Sequence, residues 1–414
     1  MPGGRLFRRG PAPRRVVQVH PRQRGVLQVQ GVVSADCSRV AALAREAGAI
    51  AIDTEFVSER RYQPLLCVVQ AGARGPDGVV AEVFDPLGDF DPGPLAEVVA
   101  DPAIRVLMHA GRQDVALLRR HWEIDVTNLF DTQIAAGFAG YGNQTSHTDI
   151  VRSLLKVRVP KSEGFTRWET RPLTEEQIEY ARADVEYLPD VADILTERLE
   201  RSGRLEWALE ECRALESASD ERSAEIAYQG LPRLGRLTDQ QRALAFELAS
   251  WRDETARKID RPPPSVMPDH VLWEIARRAP TDRKALSQIR GMPERTLGRH
   301  HQEIAEAVRR GKQAEPIPHE ERRSDPDRGD APLVALCQAL VRQRALDSEI
   351  AVEFVATQAD LSRIVMRRRM GEDTGDIRPL FGWRREMVGD DLIALLEGRM
   401  LARIAGGKLS FERT

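Results

Sequence analysis

The periodicity of apolar residues changes once along this chain, near residue 200, and that change divides what it can fold into. Before it, short apolar runs alternate with amphipathic stretches. VLQVQGVV (26–33), AGAIAIDTEF (47–56), LLCVVQ (65–70), VVAEVF (79–84) and IRVLM (104–108) have the length and composition of strands. Between them, residues 36–47 place Val40, Leu43 and Ala44 at helical spacing after the capping candidates Ser34 and Asp36. DPGPLAEVVADP and HAGRQDVALLRRH also read as helices, and a GARGPDG turn separates two of the strands. Strands alternating with helices predict one α/β domain over residues 26–213.

After residue 200 the strand signals stop. Residues 214–238 are polar and turn-rich and read as a linker, and residues 239–311 read as helices broken at PPPSVMP and at Gly291-Met292-Pro293. Residues 312–332 form a second linker rich in proline and charge, and residues 333–414 form a second helical block, helical over 333–405. Residues 1–25 carry Arg5, Arg8, Arg9, Arg14, Arg15, Arg22 and Arg24 and no acid, the composition of a disordered basic arm or of a transit peptide.

The 61 Lys and Arg against 64 Asp and Glu count against binding driven by net charge alone, though the distribution of charge matters more than its sum. The four cysteines, Cys37, Cys67, Cys212 and Cys337, form no CxxC pair, which argues against a disulfide framework or a zinc site and suits a cytoplasmic protein. No apolar run is long enough to span a membrane. No GxGxxG or GxxxxGK[ST] loop follows a strand, which removes the nucleotide-binding α/β modules.

The chemistry lies in acids. Asp53 and Glu55 end an apolar strand two residues apart, so their side chains share one face. Paired carboxylates repel unless a cation neutralises them, although a turn and a cap would also explain them. Asp114 stands near the start of a helix, where an acid also favours the helix dipole. Tyr180 and Asp184 lie four apart in YARADVEYL, on one helical face, and a surface pair would look the same.

Taken together, DTEF, the His109–Asp114 segment and YxxxD resemble the DEDD exonucleases, in the subclass with tyrosine in the third motif. FDTQIAA (130–136), GYG (140–142) and KSEGFTRWETRPLTEEQIEYA (161–181) narrow the resemblance to the ribonuclease D family. Residues 248–292 resemble a helicase-and-ribonuclease-D C-terminal (HRDC) domain, and 333–405 a more divergent second one. The resemblance implies a ribonuclease H-like α/β domain, a mixed sheet flanked by helices, followed by two all-α HRDC-type domains. It implies that Asp53, Glu55, Asp114 and Asp184 hold two divalent ions, Mg²⁺ or Mn²⁺, which prefer hard oxygen ligands. Tyr180 would orient the attacking water. The expected activity is 3′→5′ exoribonuclease action that releases nucleoside 5′-monophosphates, on tRNA precursors and other structured RNA 3′ ends, by a monomer.

Candidate nucleic-acid contacts are Phe56, His109, Gln113, Lys161, Arg167, Trp168 and Arg171, a mixture suited to phosphate contacts and base stacking. His109 and Trp168 are equally the types that pack in a core, and Asp131 reads as a helix cap. Two alternatives stay open: a DNA exonuclease using the same site, and an RNA-binding scaffold without activity.

Overall fold

The apolar segments pair into a six-stranded sheet of β1 (Val33–Ser34), β2 (Ala49–Val57), β3 (Leu65–Gly75), β4 (Gly78–Phe84), β5 (Arg105–Met108) and β6 (Leu129–Asp131). The computed structural model describes residues 33–159, 167–318 and 329–414, so the arm 1–25, most of the expected strand 26–33 and Lys161 lie outside the described residues. The strand order is β1-β4-β3-β2-β5-β6. β2 runs antiparallel to β3 and parallel to β5, which makes the sheet mixed. Ile50, Ala51 and Ile52 are fully buried, as expected of a central strand covered on both faces.

Among the described residues this region contains eight helices: α1 (Ser38–Ala47), α2 (Gly93–Ala100), α3 (Arg112–Trp122), α4 (Thr132–Phe138), α5 (His147–Leu155), α6 (Glu175–Glu186), α7 (Leu188–Ser202) and α8 (Leu205–Glu216). One apolar cluster joins α1, α2 and α3 to the sheet, and another lies among α4 to α8. Two caps set the helices that matter for function. Thr174 and Gln177 close a capping box at the start of α6. The Asp131 carboxylate accepts from Gln133 and Ile134 at the start of α4, and also from Ala110 (3.2 Å) and Gly111 (2.8 Å), which lead into α3. One buried carboxylate thus fixes the start of the helix that carries Asp114.

The first helical block packs Asp239–Lys258, Asp269–Arg278 and Glu294–Gln313 around Leu248, Val271, Ile275, Ile304 and Val308. Residues 214–238, expected as a linker, contain a helix at Ala224–Gln229 and bury Leu231 and Leu237 in that same core. The block is fastened to the loop after β2. Tyr62 packs against its core, the Tyr62 hydroxyl donates to Asp253, the Tyr62 backbone N–H donates to Asp260 (3.1 Å), and Arg61 pairs with Asp260 at 2.9 Å.

The second block contains helices Asp330–Asp347, Gln358–Met370 and Asp390–Leu396. The expectation of helix through residue 405 gives way at its end to a hairpin, β7 (Met400–Ala405) with β8 (Lys408–Arg413). The two-residue turn Gly406-Gly407 has φ of 58° and 75°, which the tight hairpin requires and glycine supplies. This block shares one apolar cluster with the α/β region. Phe138 meets Phe354 (5.1 Å) and Trp383 (4.9 Å) ring to ring, and Trp207 stacks on Trp383 at 5.3 Å. A Cβ added to Gly137 would stand 2.2 Å from Phe354, so the backbone approaches that ring as closely as it can. Arg384, 3% exposed, forks onto Glu211 of α8 at 2.6 and 2.7 Å. Among the described residues no helix is long and apolar enough to cross a membrane.

Candidate active site

The C-terminal end of β2 delivers Asp53 and Glu55 to one face of the sheet. A register shift between Glu55 and Phe56 follows at once, the kind of irregularity that re-aims side chains beside a site. On the face of the sheet that carries these acids lies α6, which buries Ile178, Ala181 and Val185 and presents Tyr180 and Asp184. The carboxylate oxygens of Asp53, Glu55 and Asp184 lie within 4.8 Å of one another. That set of hard oxygen donors fits a divalent cation.

Asp114 is adjacent but turned aside: its Oδ1 accepts a short hydrogen bond from the Thr54 hydroxyl. Asp53 is held from the neighbouring strand, where Gln70 Nε2 donates to its Oδ2 at 3.2 Å. Gln70 is fully buried and pairs with Asp53 in the β2–β3 register. Sequence reasoning passed over Gln70, although a lone amide inside the apolar run LLCVVQ was the available signal. It also passed over His147, whose Nδ1 is 3.3 Å from Asp184 Oδ1. Nothing local marks that histidine, because α5 brings it in from a distant stretch of chain.

The electrostatics are those of buried acids crowded together, whose repulsion a cation would relieve. Burial raises the Asp53 carboxyl well above the ordinary range, and Asp114, Asp184 and Glu55 push it further. Burial, then Asp184 and Asp114, bring Glu55 up to about 8. Burial raises Asp114 to about 6 even though Thr54 donates to it. Tyr180 is also driven upward, first by burial and then by the fields of Asp184, Glu55 and Asp53. Its hydroxyl therefore keeps its proton and is available as a hydrogen-bond donor beside Asp184.

The expected nucleic-acid contacts distribute differently. Phe56 is half-buried against the core beneath β2. Gln113, next to Asp114, has a buried amide nitrogen with no hydrogen-bond partner among the described residues. Arg167 is exposed. His109 uses both ring nitrogens, on Thr132 Oγ1 (2.9 Å) and the Thr145 carbonyl (3.0 Å), and burial holds it neutral with a pKa of about 4. Trp168 is 8% exposed and packs with Cys67, Val83, Leu173 and Ile178, its ring 6.3 Å from Tyr180. Arg171 forks onto Asp85 at 2.5 Å and donates to the carbonyls of Trp168 and Cys67. Its donors bind the loop to the sheet, so in this geometry Trp168 and Arg171 support Tyr180 from behind.

Acids on a strand end, a tyrosine–aspartate helix laid across them and a helical block behind define a nuclease of the exonuclease–HRDC type. The 3′-5′ exonuclease family model matches residues 33–200, and the HRDC domain model matches residues 241–308. Ribonuclease D of Gluconacetobacter diazotrophicus is 35% identical over 87% of this chain and 90% of its own length. Ribonuclease D of Acidiphilium cryptum is 33% identical over 93% of this chain and 96% of its own. The crystal structure of Escherichia coli RNase D, described as an exoribonuclease involved in structured RNA processing, superposes with a TM-score of 0.77 at 28% identity, over 89% of this chain and 98% of that one. The chain belongs to the ribonuclease D family and is a 3′→5′ exoribonuclease.

Proposed function

We propose that this protein trims the 3′ ends of structured RNA, tRNA precursors among them, and releases one nucleoside 5′-monophosphate per step as a monomer. The observation that carries the proposal is the convergence of Asp53, Glu55 and Asp184 within 4.8 Å beneath a tyrosine that keeps its proton. These three acids, with Asp114 beside them, would hold two divalent ions, Mg²⁺ or Mn²⁺. Such ions supply a more acidic water and a counter-charge for the leaving 3′ oxygen.

The chain's own residues do the rest. Gln70 and Thr54 orient Asp53 and Asp114 through neutral hydrogen bonds. Tyr180, too weak an acid to serve as a base, donates its O–H and so fixes the direction of the water or phosphate oxygen it meets. The water oxygen forms a bond to phosphorus and gives a proton to solvent, the bond from phosphorus to the 3′ oxygen breaks, and that oxygen takes a proton from solvent, leaving a nucleoside 5′-monophosphate and a shortened 3′-hydroxyl end. Phe56, Gln113 and Arg167 border the acids in sequence or in space and are the residues we assign to the terminal nucleotides.

The test is a degradation assay. A 3′-extended tRNA and a matched single-stranded DNA, both 5′-labelled, are incubated with Mg²⁺ or Mn²⁺ and with either the unaltered protein or Asp53→Ala. Stepwise, metal-dependent shortening of the RNA that the substitution abolishes is the expected result. Preferential shortening of DNA would replace the substrate assignment, and RNA binding without shortening of either would leave a scaffold.

A further inference from the structure

We infer that His147 is a positioning residue of this active site, donating from Nδ1 to the Asp184 carboxylate and holding it in the orientation that the cation needs. The inference rests on the metal-dependent reading of the acids given above.

Four observations meet at this residue. First, the ring is enclosed: the His147 side chain is 11% exposed and that of Asp184 14%. Second, neither ring nitrogen has a hydrogen bond of good geometry among the described residues. Buried polar nitrogens in native proteins find partners. Asp184 Oδ1 is within reach of Nδ1, at 3.3 Å, a separation that a small rotation of the carboxylate turns into a hydrogen bond. Third, the ring is braced. His109 meets it edge-on at 5.6 Å, and His109 cannot swing, because Thr132 and Thr145 occupy both its nitrogens. Fourth, His147 completes a pattern. Asp53 has Gln70 from β3, and Asp114 has Thr54 from β2. Asp184 has the His147 ring from α5, with Nδ1 at 3.3 Å, so each aspartate stands beside a potential donor from a separate residue.

The geometry points to support of a ligand rather than ligation. The mutually close set among the described residues consists of Asp53, Glu55 and Asp184 alone, and His147 does not join it. An N–H donated to the carboxylate of a metal ligand fixes its orientation. Partners of this kind typically govern metal affinity by about 10- to 100-fold.

The experiment measures Mn²⁺ binding by calorimetry and by electron paramagnetic resonance. It uses the full chain and three variants: His147→Phe, which keeps a ring and loses the donor; His147→Leu, a second apolar replacement; and His147→Asn, whose amide nitrogen can sit near the place of Nδ1. The apolar variants are expected to bind Mn²⁺ about 10- to 100-fold more weakly, with melting temperatures in EDTA near that of the unaltered protein. His147→Asn is expected to recover most of the affinity. The inference is overturned if a folded apolar variant binds Mn²⁺ as tightly as the unaltered protein, or if the asparagine variant is as weak as the apolar ones. A strong nitrogen hyperfine coupling to bound Mn²⁺ that disappears in His147→Phe would make the histidine a ligand and overturn it as well. If the unaltered protein binds no Mn²⁺ while Asp53→Ala behaves identically, the metal-dependent reading itself falls, and this inference with it.

Discussion

Replacing Glu55 by glutamine should stabilise the metal-free protein, and the gain should grow with pH. The Glu55 carboxyl has an ordinary value of 4.5 and is held at about 8 in the fold by burial and by Asp184 and Asp114. Below the lower value both folded and unfolded chains carry the proton, and Glu55 contributes nothing to pH dependence. As pH rises from 4.5 toward 8, the unfolded chain loses the proton while the folded one retains it, so the folded state is progressively disfavoured. At about 1.4 kcal/mol per tenfold, the penalty at pH 8 has a ceiling of roughly 4 kcal/mol, and solvent screening at this half-buried group brings it to about 2. Glutamine keeps the shape and has no charge to lose.

The assay is urea denaturation of both proteins in EDTA at several pH values between 4.5 and 8. The two curves should nearly coincide at the acid end, and Glu55→Gln should be about 2 kcal/mol more stable at the alkaline end. Adding Mn²⁺ should reverse the order at pH 8, because a ligand that binds only the folded state stabilises the protein that still has its full set of acids. A glutamine variant no more stable than the unaltered protein at pH 8 would refute the reasoning. So would a difference that does not change with pH.

Two further outcomes follow from the geometry. Tyr180→Phe removes a hydroxyl that burial keeps protonated; it should lower kcat by about 10- to 100-fold while leaving Mn²⁺ affinity within about twofold, as single-turnover kinetics and calorimetry would show. Arg384→Met removes from Glu211 the two hydrogen bonds at 2.6 and 2.7 Å and leaves it the Trp383 indole N–H at 3.0 Å and Arg378 at 3.8 Å; it should cost about 2 kcal/mol in urea denaturation, and a loss under 1 kcal/mol would contradict the pairing.

The parts of this molecule legible in its sequence are those where neighbours in sequence are neighbours in space. The pair Asp53 and Glu55 could be read because a strand repeats every two residues, and Tyr180 with Asp184 because a helix brings positions four apart together. The cap at Asp131 was legible for the same reason. What could not be read depends on pairing across distance. Gln70 faces Asp53 only through the register of β2 and β3, and His147 reaches Asp184 only through the packing of α5 on the site. Trp168 offered no sign of whether it would stack on a base or pack in a core, since Cys67 and Val83, which enclose it, lie on other strands. Arg171 likewise looked like a phosphate contact until the fold set it against Asp85. The C-terminal hairpin is a different case. The runs MLARIA and KLSFER alternate on either side of two glycines, so the signal was present, but continuity with the preceding helices outweighed it.

The shared core of the α/β region and the second helical block bears on how this chain comes into being. Phe138 and Trp207 are covered by Phe354 and Trp383, side chains that follow them by well over a hundred residues. During synthesis, the strands and acids emerge early, yet one wall of the nuclease stays wet until the last helices are made. A chain cut after the first helical block would keep every acid of the site and turn Phe138 and Trp207 toward water, so it should be cleaved by proteases faster than the whole chain.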